Sequence, residues 1–339
     1  EKQYDSMRAW IGYMHRQTGE RLIWDSGFHF ADWLAVEAPD SQFPNPVSDP
    51  ALVATAYFGY SASLMEKTAR VLGREAEAAE YAQLLEGIQA AFCAEFVSPR
   101  GRIAGNSQTA YVLALQFELL PPEQRPEAAR RLAADIVRRG SHLTTGFLGT
   151  SHICHVLSSH GYLDLAYALL EQETYPSWLY NVKLGATTSW ERWDNIRPDG
   201  SFQTPNANSF NHYAFGAIGD WLYRVVAGLD IDPDQPGYQR ILFRPRPGGS
   251  LTHASASLET PYGRAESSWR RDPAALELRV TVPPNAEGVL HLPAQEIDQI
   301  TESGRAIAAA DGISDIQAEQ GIVVIHLGSG QYTFTVRQA

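Results

Sequence analysis

The chain has 339 residues, 44% hydrophobic and 19% charged, with a formal net charge of -12. This length allows a full core and two domains, and the composition is that of an ordinary globular protein. The acidic balance without clustered Lys or Arg excludes nucleic acid as a partner, and no apolar run approaches the ~18 residues that would cross a membrane.

Residues 1–230 carry the apolar spacing of amphipathic helices. In one segment, Tyr81, Leu84, Leu85, Ile88 and Phe92 are spaced by three, one, three and four, which places them on one helix face. Similar stripes predict about eight helices in all, and they run through SMRAWIGYM, ALVATAYFGYSASLMEKTARVL, SQTAYVLALQFELL, RPEAARRLAADIVRRG, TSHICHVLSSH, YLDLAYALLEQ and, as the last, NSFNHYAFGAIGDWLYRVVAGL. Helices joined by short connections run antiparallel, so we expect a domain of stacked helical hairpins.

From residue 231 onward the spacing changes to a period of two. Four apolar residues alternate with polar ones between residues 276 and 282, and three more alternate between residues 332 and 336. This alternation is typical of half-buried strands. We therefore predict an antiparallel β-sandwich over residues 231–339, after a helical domain over residues 1–230.

The segment TTSWERWDNI places Glu191 between Trp190 and Trp193, in a loop between two predicted helices. Tryptophan walls would partly desolvate the carboxylate, and Arg192 would favour its charged form, so Glu191 is a candidate general base poised near neutrality. The alternative is structural, with Glu191 and Arg192 in ion pairs beneath packed aromatic rings.

Two other segments combine aromatic and polar residues. WDSGFHFADWLA contains Asp32 and Trp33, which would suit a sugar, because its C–H faces stack on rings and its hydroxyls need acceptors. NSFNHYAFG contains His212, which would donate to a substrate hydroxyl or anion. The alternatives are that Trp33 is ordinary core and that His212 caps backbone groups.

The sequence gives no reason to expect a metal or cofactor. SHICH brings His152, Cys154 and His155 together, but a second ligand pair with zinc-site spacing does not follow. Phosphate-binding and serine-hydrolase motifs are also absent from the sequence. We expect Cys93 and Cys154 to be buried free thiols.

Four segments in order, GFHFADWLA, GATTSWERWDNIRPDGSF, NSFNHYAFGAIGDWLYRVVAGL and GYQRILFRPRPGGSLTHASASLETPYGRAESSW, resemble the α-L-rhamnosidases, an inverting glycoside hydrolase family. The resemblance runs from near residue 4 to the C-terminus. It implies an (α/α) six-hairpin barrel followed by a β-sandwich. It also implies that Glu191 is the general base that activates the attacking water.

The same resemblance implies the residues that contact a rhamnose-containing glycoside. Trp193 and His212 match residues that line the rhamnose pocket of the family, and Trp190 flanks the base. Phe30, Asp32 and Trp33 fall in another pocket-forming segment, where this sequence departs from the family pattern by having Ala31 in place of the usual Gly.

The general acid of the family is not found in this sequence. Inverting hydrolysis needs two carboxyl groups about 6.5 to 9.5 Å apart, and the acid-bearing segment would precede everything seen here. We expect the barrel to be N-terminally incomplete, either as part of a longer enzyme or as a natural remnant that binds carbohydrate without catalysis. Another α/α-barrel sugar enzyme is a third possibility. A candidate partner is the missing N-terminal part of the same protein, present as a second chain. The expected compartment is the cytoplasm.

Overall fold

The computed structural model describes residues 1–37, 47–204 and 208–337. The chain divides into two compact units, Glu1–Ala217 and Ile218–Ala339. The boundary between the helical and β domains, placed between residues 230 and 231, stays a prediction. In the described part of the chain, no helix is both long and apolar enough to cross a membrane.

The first unit is helical, as the apolar stripes predicted. Its α-helices are α1 Tyr4–Thr18, α2 Pro50–Val71, α3 Glu75–Phe96, α4 Gln108–Gln116, α5 Arg125–Arg138, α6 Phe147–Ser159, α7 Leu163–Leu170 and α8 Trp178–Lys183. Of these, α1 to α7 coincide with predicted stripes, whereas the short α8 was not predicted. The predicted last helix begins later than expected, with the helical stretches Ala214–Ala217, Ile218–Trp221 and Leu222–Val226.

The helices α2 and α3 form an antiparallel hairpin that packs against α1. Asp49 caps α2 by accepting the N–H of Ala51 at 2.8 Å, and Pro50 occupies the first turn, where its missing N–H costs nothing. Phe58 from α2 and Ile88 from α3 are fully buried in a shared apolar cluster. Burial of each such side chain stabilises the fold by about 1.5 to 3 kcal/mol.

The helix α4 lies at the centre of the helical unit. Only Gln116, at its C-terminal end, is not buried, and its neighbours include α2, α5 and α6. A helix that is buried on all sides belongs to the interior of a protein. Its buried polar residues, Gln108 and Thr109, therefore need protein partners, and the partner of Thr109 lies in the candidate site.

The second unit contains eleven strands in its described residues, arranged in two sheets. The five-stranded sheet has the order β1-β2-β6-β10-β9, where these are Leu229–Ile231, Arg240–Phe243, Glu287–Leu292, Ile322–Leu327 and Ile313–Glu319. The six-stranded sheet has the order β3-β4-β5-β11-β7-β8, where these are His253–Thr260, Gly263–Arg271, Ala275–Val282, Gly330–Arg337, Ile300–Glu302 and Arg305–Ala306. The pairing of β2 with β6 is parallel, and the other strand pairs described are antiparallel, as predicted.

The two strands predicted from alternating apolar and polar residues, β5 and β11, pair directly with each other. In β5 and β11, Leu278 lies opposite Phe334 and Val280 opposite Tyr332, all with side chains on the buried face. Such cross-strand apolar pairs stabilise a sheet. Trp269 on the neighbouring β4 is also buried, and its Nε1 donates to the carbonyl oxygen of Val226 at 2.6 Å.

Candidate active site

The Asp32 carboxylate binds the N-terminus of α6. Its Oδ1 accepts the N–H groups of Leu148 at 2.9 Å and Gly149 at 3.2 Å, and its Oδ2 accepts the N–H of Gly146 at 2.7 Å. The Thr109 hydroxyl also donates to Oδ2. An acid at this place satisfies the first N–H groups of the helix and complements its dipole.

Asp32, which the sequence predicts to contact a sugar, is only 1% exposed. Burial raises the pKa of Asp32 from its ordinary value, while the hydrogen bonds from Thr109, Gly146, Gly149 and Leu148 oppose the rise. The structure therefore gives Asp32 a structural contact with α6, and its assignment as a direct substrate ligand stays a prediction.

The loop around Asp32 exposes a row of aromatic rings. Phe28, Phe30 and Trp33 follow one another edge to face, with ring centroids 5.1 and 5.0 Å apart. Phe30 is 52% exposed and lines a cavity of about 610 Å³, together with rings that include Trp10, Tyr13, Trp24 and Tyr57. The aromatic rings of Phe28 and Phe30 in this segment therefore line an open cavity of ligand size.

Ala31 lies in a left-handed backbone conformation, at the position where the resemblance implies Gly. Its φ is 51°, in the left-handed region that costs a residue with a Cβ about 1–2 kcal/mol. Ala31→Gly removes that cost but adds about 0.5–1 kcal/mol of chain entropy to the unfolded state. We expect a net stabilisation of about 0.5–1 kcal/mol, measured by urea unfolding.

A matched substitution in the same loop separates this effect from a general effect of glycine. Ala35 is also buried but does not have a positive φ, so Ala35→Gly should destabilise the protein by about 1 kcal/mol. Equal destabilisation by both substitutions would contradict the left-handed strain at Ala31.

The Glu191 segment is held by hydrogen bonds to the segment that contains Ser209. The Glu191 N–H donates to the carbonyl oxygen of Ser209 at 2.9 Å, and Glu191 Oε2 accepts the Ser209 N–H at 2.9 Å. The fully buried Asn195 donates to the same carbonyl at 2.6 Å. These bonds fix Oε2, while Glu191 Oε1 has no hydrogen-bond partner among the residues that the structure describes.

The two tryptophans that flank Glu191 are buried. Trp190 is 4% exposed and meets Phe210 edge to face at 5.3 Å. Trp193 is 3% exposed and stacks on Phe215, with ring centroids 3.9 Å apart. Arg192, which the structural alternative places in an ion pair, has its Nε 3.3 Å from Asp194 Oδ1.

His212 connects the Glu191 segment to α6. Its backbone N–H donates to the Ser189 carbonyl oxygen at 2.8 Å, and its ring lies 4.9 Å from that of Phe147, the first residue of α6. Its Nδ1 accepts the Ala214 N–H at 3.3 Å, which matches the capping alternative. A neutral ring with Nδ1 as the acceptor carries its proton on Nε2, where it can donate to a ligand.

The N-terminus of α6 is thus where the separate segments converge. The Phe147 N–H donates to the Trp33 carbonyl oxygen at 2.9 Å, and the Phe147 ring contacts both His212 and Phe215. Sequence reasoning missed Phe147 and the buried Thr109. The available signal was GFLG, in which two glycines three residues apart begin a helix.

The structure places His152 and His155 on α6 with Cys154 between them. Across the described ranges, no group of three or more His, Cys, Asp or Glu side chains is arranged to hold a metal ion. Both cysteines are free thiols: Cys154 is buried and Cys93 is partly buried. Burial raises the pKa of Cys154 to about 12, which keeps this thiol protonated and unreactive.

Two family matches agree with this architecture. Residues 1–226 match the bacterial alpha-L-rhamnosidase 6 hairpin glycosidase domain, and residues 228–306 match the bacterial alpha-L-rhamnosidase C-terminal domain. The first match covers the helical hairpins and the Glu191 segment, and it places the chain in the class of six-hairpin glycosidases. The chain belongs to the bacterial alpha-L-rhamnosidase family within that class, which confirms the resemblance and the fold class predicted from the sequence.

Individual relatives are similar over nearly the whole chain. An alpha-L-rhamnosidase of Streptomyces avermitilis is 40% identical over 98% of this chain, and one of Formosa agariphila is 38% identical over 99%. The structure of the Streptomyces avermitilis enzyme complexed with L-rhamnose has a TM-score of 0.88 over 98% of this chain, and that of the Aspergillus terreus enzyme has a TM-score of 0.86 over 99%. The chain spans only 30% and 36% of the lengths of the two curated relatives, and the same shares of the two solved chains.

Proposed function

We propose that this chain provides the general-base side of an inverting α-L-rhamnosidase site, with Glu191 activating the attacking water. The observation that carries the proposal is the hydrogen bonding of Glu191. Its Oε2 is fixed by the Ser209 N–H, and its Oε1 has no partner among the described residues. A carboxylate oriented in this way can accept a proton from a water molecule held at Oε1.

In the proposed reaction, the water oxygen bonds to the anomeric carbon while Glu191 takes the water proton. The bond from that carbon to the leaving oxygen breaks on the opposite face, which inverts the configuration. The leaving oxygen needs a proton from a second carboxyl group, about 6.5 to 9.5 Å from the first. We place this acid outside the 339 residues, in the same polypeptide or in a second chain.

The proposed substrate is a glycoside with a terminal α-L-rhamnosyl group. Support comes from the relatives named alpha-L-rhamnosidase and from the similar enzyme solved with L-rhamnose. In this chain, His212 would donate through Nε2 to a sugar hydroxyl, and Trp193 would back the pocket. The Trp193 Nε1 is buried without an acceptor in the described part of the chain, a cost of about 1–3 kcal/mol that functional sites often carry.

A catalytically silent carbohydrate-binding protein is the second candidate. The observation that favours it is that only one carboxylate of the required pair has been assigned. Such a protein would bind L-rhamnose with the same residues and would not hydrolyse any rhamnoside. The two candidates therefore share a binding prediction and differ in catalysis.

Binding of L-rhamnose is expected to depend on His212. His212→Ala removes one hydrogen bond and a ring contact, so affinity should fall about tenfold, which corresponds to 1.4 kcal/mol. Isothermal titration of the chain with L-rhamnose measures this change. L-fucose, a 6-deoxyhexose of different stereochemistry, should bind more weakly.

The matched control is His160→Ala. His160 lies just beyond the C-terminal end of α6, where its Nδ1 lies 2.9 Å from the Val156 carbonyl oxygen. This variant should bind L-rhamnose as the unaltered chain does. Equal loss of affinity in both variants, or no binding by the unaltered chain, would count against the proposed pocket.

We also infer a reducing compartment, the cytoplasm, for the protein. The inference rests on Cys93 and Cys154, which are both free thiols. Disulfides persist chiefly in oxidising compartments, and small numbers of free buried thiols are common in reducing ones.

A further inference from the structure

The hydrogen bonds of Asp32 leave its carboxylate little capacity for a sugar. An ionised carboxylate has about four acceptor positions, two on each oxygen. Oδ1 accepts from Leu148 and Gly149, and Oδ2 accepts from Thr109 and Gly146. With the side chain 1% exposed, these four bonds account for its acceptor positions. The carboxylate of Asp32 therefore binds groups of the protein itself.

We propose that Asp32 is a positioning residue of the sugar pocket, because its carboxylate fixes the N-terminus of α6 and thereby places Phe147 against His212. This inference rests on the proposed function, since the pocket it positions is the one assigned to L-rhamnose. Asp32 itself does not contact the sugar in this account.

Few contacts separate Asp32 from the proposed pocket. Asp32 binds the N–H groups on both sides of Phe147, at Gly146 and Leu148. The Phe147 N–H also donates to the carbonyl oxygen of Trp33 at 2.9 Å. The direction of the Phe147 ring, 4.9 Å from His212, is therefore set by a backbone that Asp32 holds.

The Phe147 ring also reaches the base segment. It meets the Phe215 ring edge to face at 5.3 Å, and Phe215 stacks on Trp193, two residues after Glu191. A shift of the α6 N-terminus would move rings on both sides of the pocket. Misplacement by about 1 Å can cost an enzyme on the order of 10²-fold.

A series of variants weakens the hydrogen bonding of Asp32 to different extents. Asp32→Asn removes the charge and turns one acceptor into an NH₂ donor that faces N–H or O–H donors. Thr109→Val removes one of the four hydrogen bonds and keeps the carboxylate, while Thr109→Ser keeps the hydroxyl and should rescue the effect. Thr55→Val is the matched control, because Thr55 is a buried Thr whose Oγ1 accepts the Trp24 N–H at 3.0 Å, a bond that does not involve Asp32.

Three measurements are made at a temperature where near-ultraviolet circular dichroism shows every variant to be folded. They are L-rhamnose affinity by titration calorimetry, amide hydrogen exchange of residues 146–149, and the NMR shifts of the His212 ring protons, assigned by their loss in His212→Gln. We expect Asp32→Asn to weaken binding by roughly tenfold to a hundredfold, to speed exchange and to shift the His212 signals. Thr109→Val should change all three less, and Thr109→Ser and Thr55→Val should resemble the unaltered chain.

Two outcomes would overturn the proposal. If Asp32→Asn weakens binding with the exchange rates and His212 signals unchanged, Asp32 contacts the sugar directly. If the exchange rates change and affinity does not, Asp32 is merely structural. Should the unaltered chain not bind L-rhamnose, the proposed function fails, whereas the exchange rates and His212 signals still report whether Asp32 positions α6.

Discussion

Glu191→Gln is expected to lower the rate of α-L-rhamnosyl fluoride hydrolysis by on the order of 10³-fold, because it removes the proposed general base. Fluoride leaves without a proton from an acid, so this substrate tests the base and the pocket in the 339-residue chain itself. Gln can still accept the Ser209 N–H that Glu191 Oε2 accepts at 2.9 Å, so the loop should keep its conformation. The rate is followed by fluoride release, and the configuration of the product by NMR.

The control for this experiment is Asp199→Asn, which neutralises an exposed acid in the same loop. Its carboxylate accepts the N–H and hydroxyl of Ser201, and the variant should retain the rate of the unaltered chain. An unchanged rate in Glu191→Gln, or retention of configuration in the product, would refute the assignment of the base. L-rhamnose binding without fluoride release would favour the carbohydrate-binding protein over the hydrolase.

Aryl α-L-rhamnosides separate the base from the acid. Their leaving group needs protonation, so the 339-residue chain should hydrolyse them poorly. A protein extended upstream to include an acid segment should hydrolyse them, and Glu191→Gln should then lower the rate by a similar factor. Equal activity of the short and extended proteins would place the acid within the chain.

Periodicity made much of the fold predictable. The stripes of α1 to α7 and the alternation in β5 and β11 are local properties of the sequence, and they indicate where helices and strands form. The pairing of β5 with β11, which joins Leu276 to Val336, was not predictable in this way. It depends on contacts between residues far apart in the chain.

The predicted last helix shows where local patterns fail. Residues 208–213 were included in it, but the backbone there pairs with the Glu191 segment instead. Ser209 exchanges hydrogen bonds with Glu191, and the His212 N–H donates to Ser189. Ser and Asn side chains also compete with helical hydrogen bonding, and tertiary bonds decide the outcome in such segments.

Asp32 shows a second limit of sequence reasoning. An acid beside aromatic residues suits a sugar, and the same residue equally suits a helix N-terminus. Its partner Gly146 lies 114 residues further along the chain. A local segment contains no signal for such a contact, so the sequence draws attention to Asp32 without revealing its partner.

Gly146→Ala is expected to destabilise the helical unit by about 3 kcal/mol, because backbone atoms occupy the space a methyl group would need. A Cβ at Gly146 would lie 2.3 Å from the Trp33 carbonyl oxygen, 2.7 Å from that of Asp32 and 2.8 Å from the Ala35 nitrogen. Flexible side-chain ends could turn away, but these atoms belong to the loop that carries Asp32. The loop must therefore separate from α6, which would also weaken L-rhamnose binding.

Thermal unfolding followed by circular dichroism measures this effect. For a unit of this size, the expected loss lowers the midpoint by roughly 6–12 °C. Gly12→Ala in α1 is the control, since its Cβ would approach only the end of the Arg16 side chain, at 3.2 Å. That variant should be stabilised by up to about 1 kcal/mol, as alanine favours a helix. Similar midpoints for both variants would show that the loop and α6 lack the close contact on which the proposed sugar pocket depends.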